Sequence, residues 1–185
     1  CVAVFIHMDK EDFFLYLQDI ARVLKPVGLL YFDTWNMSSK VGWRRYALEI
    51  AAYADADHAK RKDVARNQFS CPEEVSVFLD HAGFDLLLIL SESPWVQAVA
   101  VKRGSDVDLA DLRAMMKERA PRIAYTPLWT ELFDSIIDVV TGKTTPIACW
   151  EAMADDSRGE EMEMFRMWYL GMWKASESVW GPAPE

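Results

Sequence analysis

The sequence predicts an α/β fold: a mixed sheet with flanking helices, followed by an all-helical extension. Three observations lead there. A helix-period segment runs through a Lys-Pro-Val-Gly turn into a short apolar and aromatic run, LLYFDT. Two further apolar runs, FDLLLILS and WVQAVAVK, are separated only by Glu92, Ser93 and Pro94. So short a link permits an antiparallel hairpin and excludes a parallel crossover. Beyond Gly104 no strand signal remains, and Ser/Thr capping positions precede apolar helical patterns. The boundary is therefore placed so that residues 1–104 form the sheet domain and 105–185 the helical extension.

The chain opens at Cys1 within the apolar run CVAVFIHM. The β-branched content of Val2 to Ile6 favours a strand, with a loop as the alternative. Asp9 is a good N-cap, and Asp12 lies near the following helical amides. Phe13, Leu17, Ile20 and Leu24 then share one helical face. Pro26 stops that helix and Gly28 permits a turn. Leu29 to Thr34 reads as a buried strand. After the loop WNMSSKVG, a second helix places Trp43, Ala47, Ile50 and Ala54 on one face. The stretch from Asp55 to Asn67 is polar and irregular, and its basic residues Lys60, Arg61, Lys62 and Arg66 read as a solvated face.

Ser70 and Glu73 form a capping-box pattern, with Pro72 in a first turn. Val75, Phe78, Leu79 and Ala82 give that helix its core face, and Gly83 ends it. The hairpin strands are Phe84–Ser91 and Trp95–Lys102. The first is apolar for five residues, which predicts cover on both faces.

In the extension, Ser105 with Asp108 opens a helix carrying Leu109, Leu112 and Met116. Thr126 with Pro127 opens another, carrying Trp129, Phe133, Ile136, Ile137 and Val140 and closed by Gly142. Thr145 with Pro146 starts a third. A fourth spans about 159–179, apolar nearly all round: Met162, Phe165, Met167, Trp168, Tyr169 and Trp173 lie on it. Such a helix is buried on several sides. Packing within the protein is one reading; a homodimer interface or an apolar ligand pocket is the other.

Composition narrows the functional classes. Hydrophobic residues make up 51% of the chain, enough for a buried core, and the formal net charge is −9. That charge argues against nucleic acid and anionic membrane as partners, since both require a basic face. No apolar run reaches membrane-spanning length. Cys1, Cys71 and Cys149 are widely spaced with no Cys/His cluster, so no metal site is expected. An odd cysteine count without disulfide spacing fits a reducing cytoplasm. The paired carboxylates Asp155-Asp156 and Glu160-Glu161 read as helix N-terminal charge. No G-x-S-x-G, P-loop or H-x-x-x-H motif occurs.

Residues 1 to about 103 resemble the class I S-adenosylmethionine-dependent methyltransferases. The parts that carry the resemblance are Cys1, the apolar stretch VAVFIHM with its His, the helix ending IARVLKPVG, and the strand LLYFDTW. RNQFSCPEEVSVFLDHAGF resembles the family's last helix with its "aGF" ending, and the hairpin after it resembles strands six and seven. The family's usual Gly-Gly is Val27-Gly28 here.

The resemblance implies a partial Rossmann-like sheet of strands five, seven and six, with Trp95–Lys102 in the middle. It favours a loop over a strand for Val2 to Ile6. It implies S-adenosylmethionine as cofactor and a small-molecule methyl acceptor. In this family the segment matching Cys1, Val2 and Ala3 lies near the cofactor, and the residue matching His7 borders the active site, where it could act as a base or orient substrate. The alternative for His7 is support of the following helix. Asp33, Trp35 and Asn36, in the loop after the strand, would contact the acceptor, the alternative being ordinary loop chemistry with Trp35 packed. The family's G-x-G-x-G loop and the acidic residue after strand two do not occur among these residues.

Two functional classes follow. The first is the C-terminal portion of a methyltransferase acting on a small molecule, with the helical extension covering the acceptor site or making a dimer. The second is a non-catalytic binding or assembly module.

Overall fold

The computed structural model describes residues 1–57, 59, 67–104, 106–154 and 159–184. The expectations placed on Lys60, Arg61, Lys62, Arg66, Ser105 and Asp155-Asp156 lie outside the described residues. Two compact units form, Cys1–Thr126 and Pro127–Glu185.

The first unit is an α/β domain. After a 3-10 turn at Phe5–His7, its elements are α1 (Lys10–Val23), β1 (Leu29–Asn36), α2 (Lys40–Tyr53), β2 (Phe69–Ser70), α3 (Pro72–Ala82), β3 (Phe84–Leu90), β4 (Trp95–Lys102) and α4 (Leu109–Ile123). The sheet is mixed and ordered β2-β1-β4-β3. β4 runs antiparallel to both its neighbours, and β2 is parallel to β1. Trp95–Lys102 thus lies in the middle, the position that the resemblance implied, and is buried along seven of its eight residues. A bulge at Leu87 shifts the β3 register.

Two apolar layers cover the sheet. Leu30, Phe32, Val96, Ala98 and Ala100 pack with Phe13 and Leu17 of α1 and Val75 and Leu79 of α3. On the other face Leu87, Val99 and Val101 pack with Met116 of α4. This packing is why α4 joins the sheet unit, although strand patterning stops at Gly104.

Several local expectations are corrected. Val2 to Ile6 forms no strand; backbone-to-backbone bonding to β1 comes from Cys1, whose amino group donates to the Tyr31 carbonyl at 2.9 Å and whose carbonyl accepts from the Asp33 amide at 3.3 Å. In the turn after α1, Val27 rather than Gly28 takes the left-handed conformation, with φ 61°. Gly28 is needed for space: a Cβ there would meet the Lys25 carbonyl oxygen at 2.8 Å. The Ser70–Glu73 capping box does not form, because Ser70 is extended in β2 and Cys71 takes the N-cap position. Asp108 itself caps α4, accepting from Ala110 N and Asp111 N.

α2 also turns the opposite way from its apolar stripe. Val41, Gly42 and Glu49 face inward, while Trp43, Ala47, Ile50 and Ala54 are exposed. The Ser39 hydroxyl caps the helix at Gly42 N, and Gly42 lies so close to Asn36 that a Cβ would meet its carbonyl oxygen at 1.7 Å. That contact fixes the rotation of α2. The buried Glu49 carboxylate is held by Arg45 at 2.7 Å and Asn67 at 3.0 Å.

The second unit comprises α5 (Pro127–Val140), α6 (Pro146–Ala152), α7 (Glu160–Ala175) and α8 (Glu177–Trp180). The long fourth helix expected from the sequence is interrupted at Ser176. Met162, Phe165, Tyr169 and Trp173 form the inward face of α7, whereas Met164, Met167 and Trp168 are exposed. Burial on several sides is therefore not observed for that helix. Thr145 caps α6 through Ala148 N, as expected. No helix among the described residues is long and apolar enough to cross a membrane.

Candidate functional site

In an open α/β sheet, ligands bind beyond the carboxyl ends of the parallel strands. Here that edge is formed by the end of β1 and the segment Cys1–Met8. β1 runs two residues further than LLYFDT suggests, so Trp35 and Asn36 join Asp33 in the strand rather than forming a loop. Pairing of Trp35 with both Trp95 and Phe69 extends it.

Asp33 is 1% exposed and organises the edge. Its Oδ1 accepts from the Ala3 amide at 2.7 Å, and its Oδ2 accepts from the Tyr125 hydroxyl. The backbone at Cys1 brackets the same residue. The structure thus brings Cys1, Ala3 and Asp33 together, with Cys1, Val2 and Ala3 exposed. Ala3 has φ 54°, an uncommon conformation for a residue with a side chain. The hydrogen bond from its N–H to Asp33 Oδ1 helps to hold it there.

His7 closes the 3-10 turn, its amide donating to the Val4 carbonyl at 3.1 Å, and its side chain is exposed. No hydrogen bond joins the His7 ring to Asp33 or to Cys1–Ala3. Trp35 is buried between aromatic rings, with Trp95 stacked at 5.2 Å and Phe69 tilted at 5.9 Å. Asn36 is committed to the scaffold. Its Nδ2 donates to the Ser91 carbonyl at 2.8 Å, its Oδ1 accepts from Ser38 N, and its amide donates to the Pro94 carbonyl at 2.7 Å. It ties the β3–β4 link to the start of α2.

Three residues that the sequence did not single out complete the arrangement. Gln97, buried in mid-β4, donates from Nε2 to the Tyr31 hydroxyl at 2.8 Å and to the Ile123 carbonyl at 2.6 Å. Its Oε1 accepts from Tyr125 N at 2.9 Å. Gln97 therefore clamps the end of α4 and aims Tyr125 at Asp33. Burial first, and the Asp33 carboxylate second, raise the Tyr125 phenol well above the usual tyrosine range, so it stays a donor. A signal for Gln97 was available: a lone amide inside an otherwise apolar buried strand demands partners. Tyr125 follows a helix end and carried no comparable signal.

Lys10 fixes the far side of the edge. Its ammonium donates to the Phe69 carbonyl at 2.6 Å and to Ser70 Oγ at 3.1 Å, and pairs with Glu74. Among the described residues no three His, Cys, Asp or Glu side chains gather as a metal site. The chemistry on offer is a rigid, hydrogen-bonded wall with exposed backbone at Cys1–Ala3 and an exposed imidazole at His7. In comparisons with known proteins, no family model matches the chain and no curated protein matches it.

Proposed function

We propose that this chain is part of a class I methyltransferase that moves a methyl group from S-adenosylmethionine to a small molecule. The observation that carries the reading is the sheet order. A reversed strand, β4, lies between β1 and β3, and the helix ending ARVLKPVG leads into β1. That is the order the motifs of residues 1–103 imply for strands five, seven and six of this family.

Under this reading Cys1, Val2 and Ala3 form one wall of the cofactor pocket. Asp33 and Tyr125 are positioning residues, which hold that wall through the Ala3 amide. His7, exposed beside it, is the group available to take a proton or orient the acceptor. Trp35 and Asn36 serve as scaffold under the site rather than as acceptor contacts. The bound cofactor supplies an electrophilic methyl group, and such transfer asks of the protein mainly in-line positioning. The described wall offers few polar anchors for so charged a ligand. Calorimetric titration of the chain with S-adenosylmethionine is therefore expected to give high-micromolar to millimolar affinity. Low-micromolar binding would mean that the principal anchors lie elsewhere in these residues; no heat at any attainable concentration would remove the wall.

The exposed apolar faces favour a second reading, a non-catalytic binding or assembly module. Trp43 and Ile50 on α2, and Met164, Met167 and Trp168 on α7, are each at least 45% exposed. A homodimer through the C-terminal helices belongs to either reading. Analytical ultracentrifugation separates them when paired with the calorimetry: dimer without cofactor binding favours the module.

A further inference from the structure

The helical unit holds a pocket of about 210 Å³ between α5, α6 and α7. Leu132, Cys149, Met153, Met162 and Phe165, all buried, make its inner wall. Exposed Glu131 and Ala152 mark its mouth. Interiors are close-packed, and an apolar void forfeits contacts on every atom that lines it, so a space of this size works against stability. A cavity of about 150 Å³ with hydrocarbon walls accepts benzene. The larger volume here fits a benzene ring with a short alkyl arm.

The inner wall offers an occupant apolar surface rather than hydrogen bonds. The Ser135 hydroxyl, also in the lining, donates to the Glu131 backbone carbonyl at 2.8 Å. Burial pushes the Cys149 thiol above its ordinary value, which keeps it neutral. The rest of the wall is hydrocarbon, the Phe165 ring and the thioethers of Met153 and Met162. Thioether sulfurs contact aromatic rings favourably at about 5 Å, and flexible methionines adjust to the shape of the ring. A charged group moved against these wall atoms would lose hydration that they do not replace.

We propose that this pocket binds a small uncharged aromatic molecule, with its ring held among Met153, Met162 and Phe165. Apolar burial against the inner wall drives the binding, whatever charge the mouth carries. The site lies within the helical unit and does not depend on the methyltransferase reading.

Toluene is the probe, added to the full chain with 13C in its methionine methyl groups. Saturable shift changes are expected at Met153 and Met162. Met116, buried in the sheet unit, and Met164 and Met167, exposed on α7, should stay in place. Cys149→Leu carries a longer side chain into the space and should weaken toluene about fivefold or more, with unchanged helical circular dichroism. Should that variant misfold, the methyl shifts of the wild type decide. Benzylamine and benzoate, which carry the same ring with opposite charges, should each bind no tighter than toluene. Absent shifts at Met153 and Met162, shifts of equal size at Met116, Met164 and Met167, unchanged affinity in folded Cys149→Leu, or tighter binding of either ion would each overturn the proposal.

Discussion

The Tyr125 hydroxyl donates to Asp33 Oδ2, joining the segment after α4 to the middle of β1 across 92 positions of sequence. Asp33 Oδ1 holds the Ala3 amide at 2.7 Å. One buried carboxylate therefore sets both the N-terminal segment and the segment after α4. This arrangement ties residues 106–126 to the sheet unit by hydrogen bonding as well as by packing.

That pair predicts an alkaline instability. Tyrosine in an unfolded chain ionises near pH ~10. The Tyr125 phenol is raised above that value in the folded state, so its contribution is complete below about pH 10 and is lost as pH rises further. Tyr169 is raised as well, by burial and by neighbouring Cys149. Urea midpoints should fall above about pH 10 in the wild type, less in Tyr125→Phe, and least in Tyr125→Phe/Tyr169→Phe. At neutral pH Tyr125→Phe should cost about 1–3 kcal/mol, since Asp33 loses a donor. Identical alkaline slopes in all three proteins would contradict the geometry.

Gln97→Leu should destabilise by about 2–3 kcal/mol, because the Ile123 carbonyl and the Tyr125 amide both lose their side-chain partner. Hydrogen exchange at the Tyr125 amide should accelerate more than at β4 amides. Uniform acceleration across the sheet would show that Gln97 is not a local clamp.

Val27→Gly should stabilise the protein by about 1 kcal/mol. A β-branched residue at φ 61° carries a steric penalty of about 1–2 kcal/mol, partly offset by the greater unfolded-state entropy of glycine. Equilibrium urea denaturation measures the difference. Destabilisation would mean that contacts of the Val27 side chain outweigh its strain.

Two glycines should respond oppositely to alanine. Gly42→Ala places a Cβ 1.7 Å from the Asn36 carbonyl oxygen, which requires backbone movement and should cost about 3 kcal/mol or more. Gly171, on α7, has open space around it, so Gly171→Ala should stabilise by up to about 1 kcal/mol. Thermal denaturation of both variants checks the pair, and equal effects would argue against the close approach of α2 to β1.

What could be read from the sequence follows from where each signal originates. The pairing of Trp95–Lys102 with Phe84–Leu90 was legible because a three-residue link excludes a parallel crossover, while its place beside Leu29–Asn36 came only from the family resemblance. The inner faces of α1 and α3 were legible because Phe13, Leu17, Val75 and Leu79 repeat at helical spacing. α2 was misread because its rotation is set by a single backbone contact at Gly42, which outweighs its apolar stripe. β2 was missed because two residues carry no periodicity. At the candidate site, Asp33 and Cys1–Ala3 were singled out and are brought together. Tyr125 and Gln97 were not: their partnership spans β4 and the end of α4, and although a lone amide in an apolar strand signals that Gln97 needs partners, nothing local points to Tyr125. Trp35 and Asn36 were singled out as acceptor contacts, but their partners in the structure are internal.

The cofactor wall is tested most directly by amide chemical shifts. An isotope-labelled sample of the full chain is titrated with S-adenosylhomocysteine, in parallel with Asp33→Ala. Shift changes are predicted at Val2, Ala3 and the residues up to Met8, and at Asp33 and Thr34, with the response lost in Asp33→Ala while the β3–β4 amides stay in place. Changes concentrated in residues 127–184, or none at the highest attainable concentration, would contradict a cofactor wall at Cys1–Ala3.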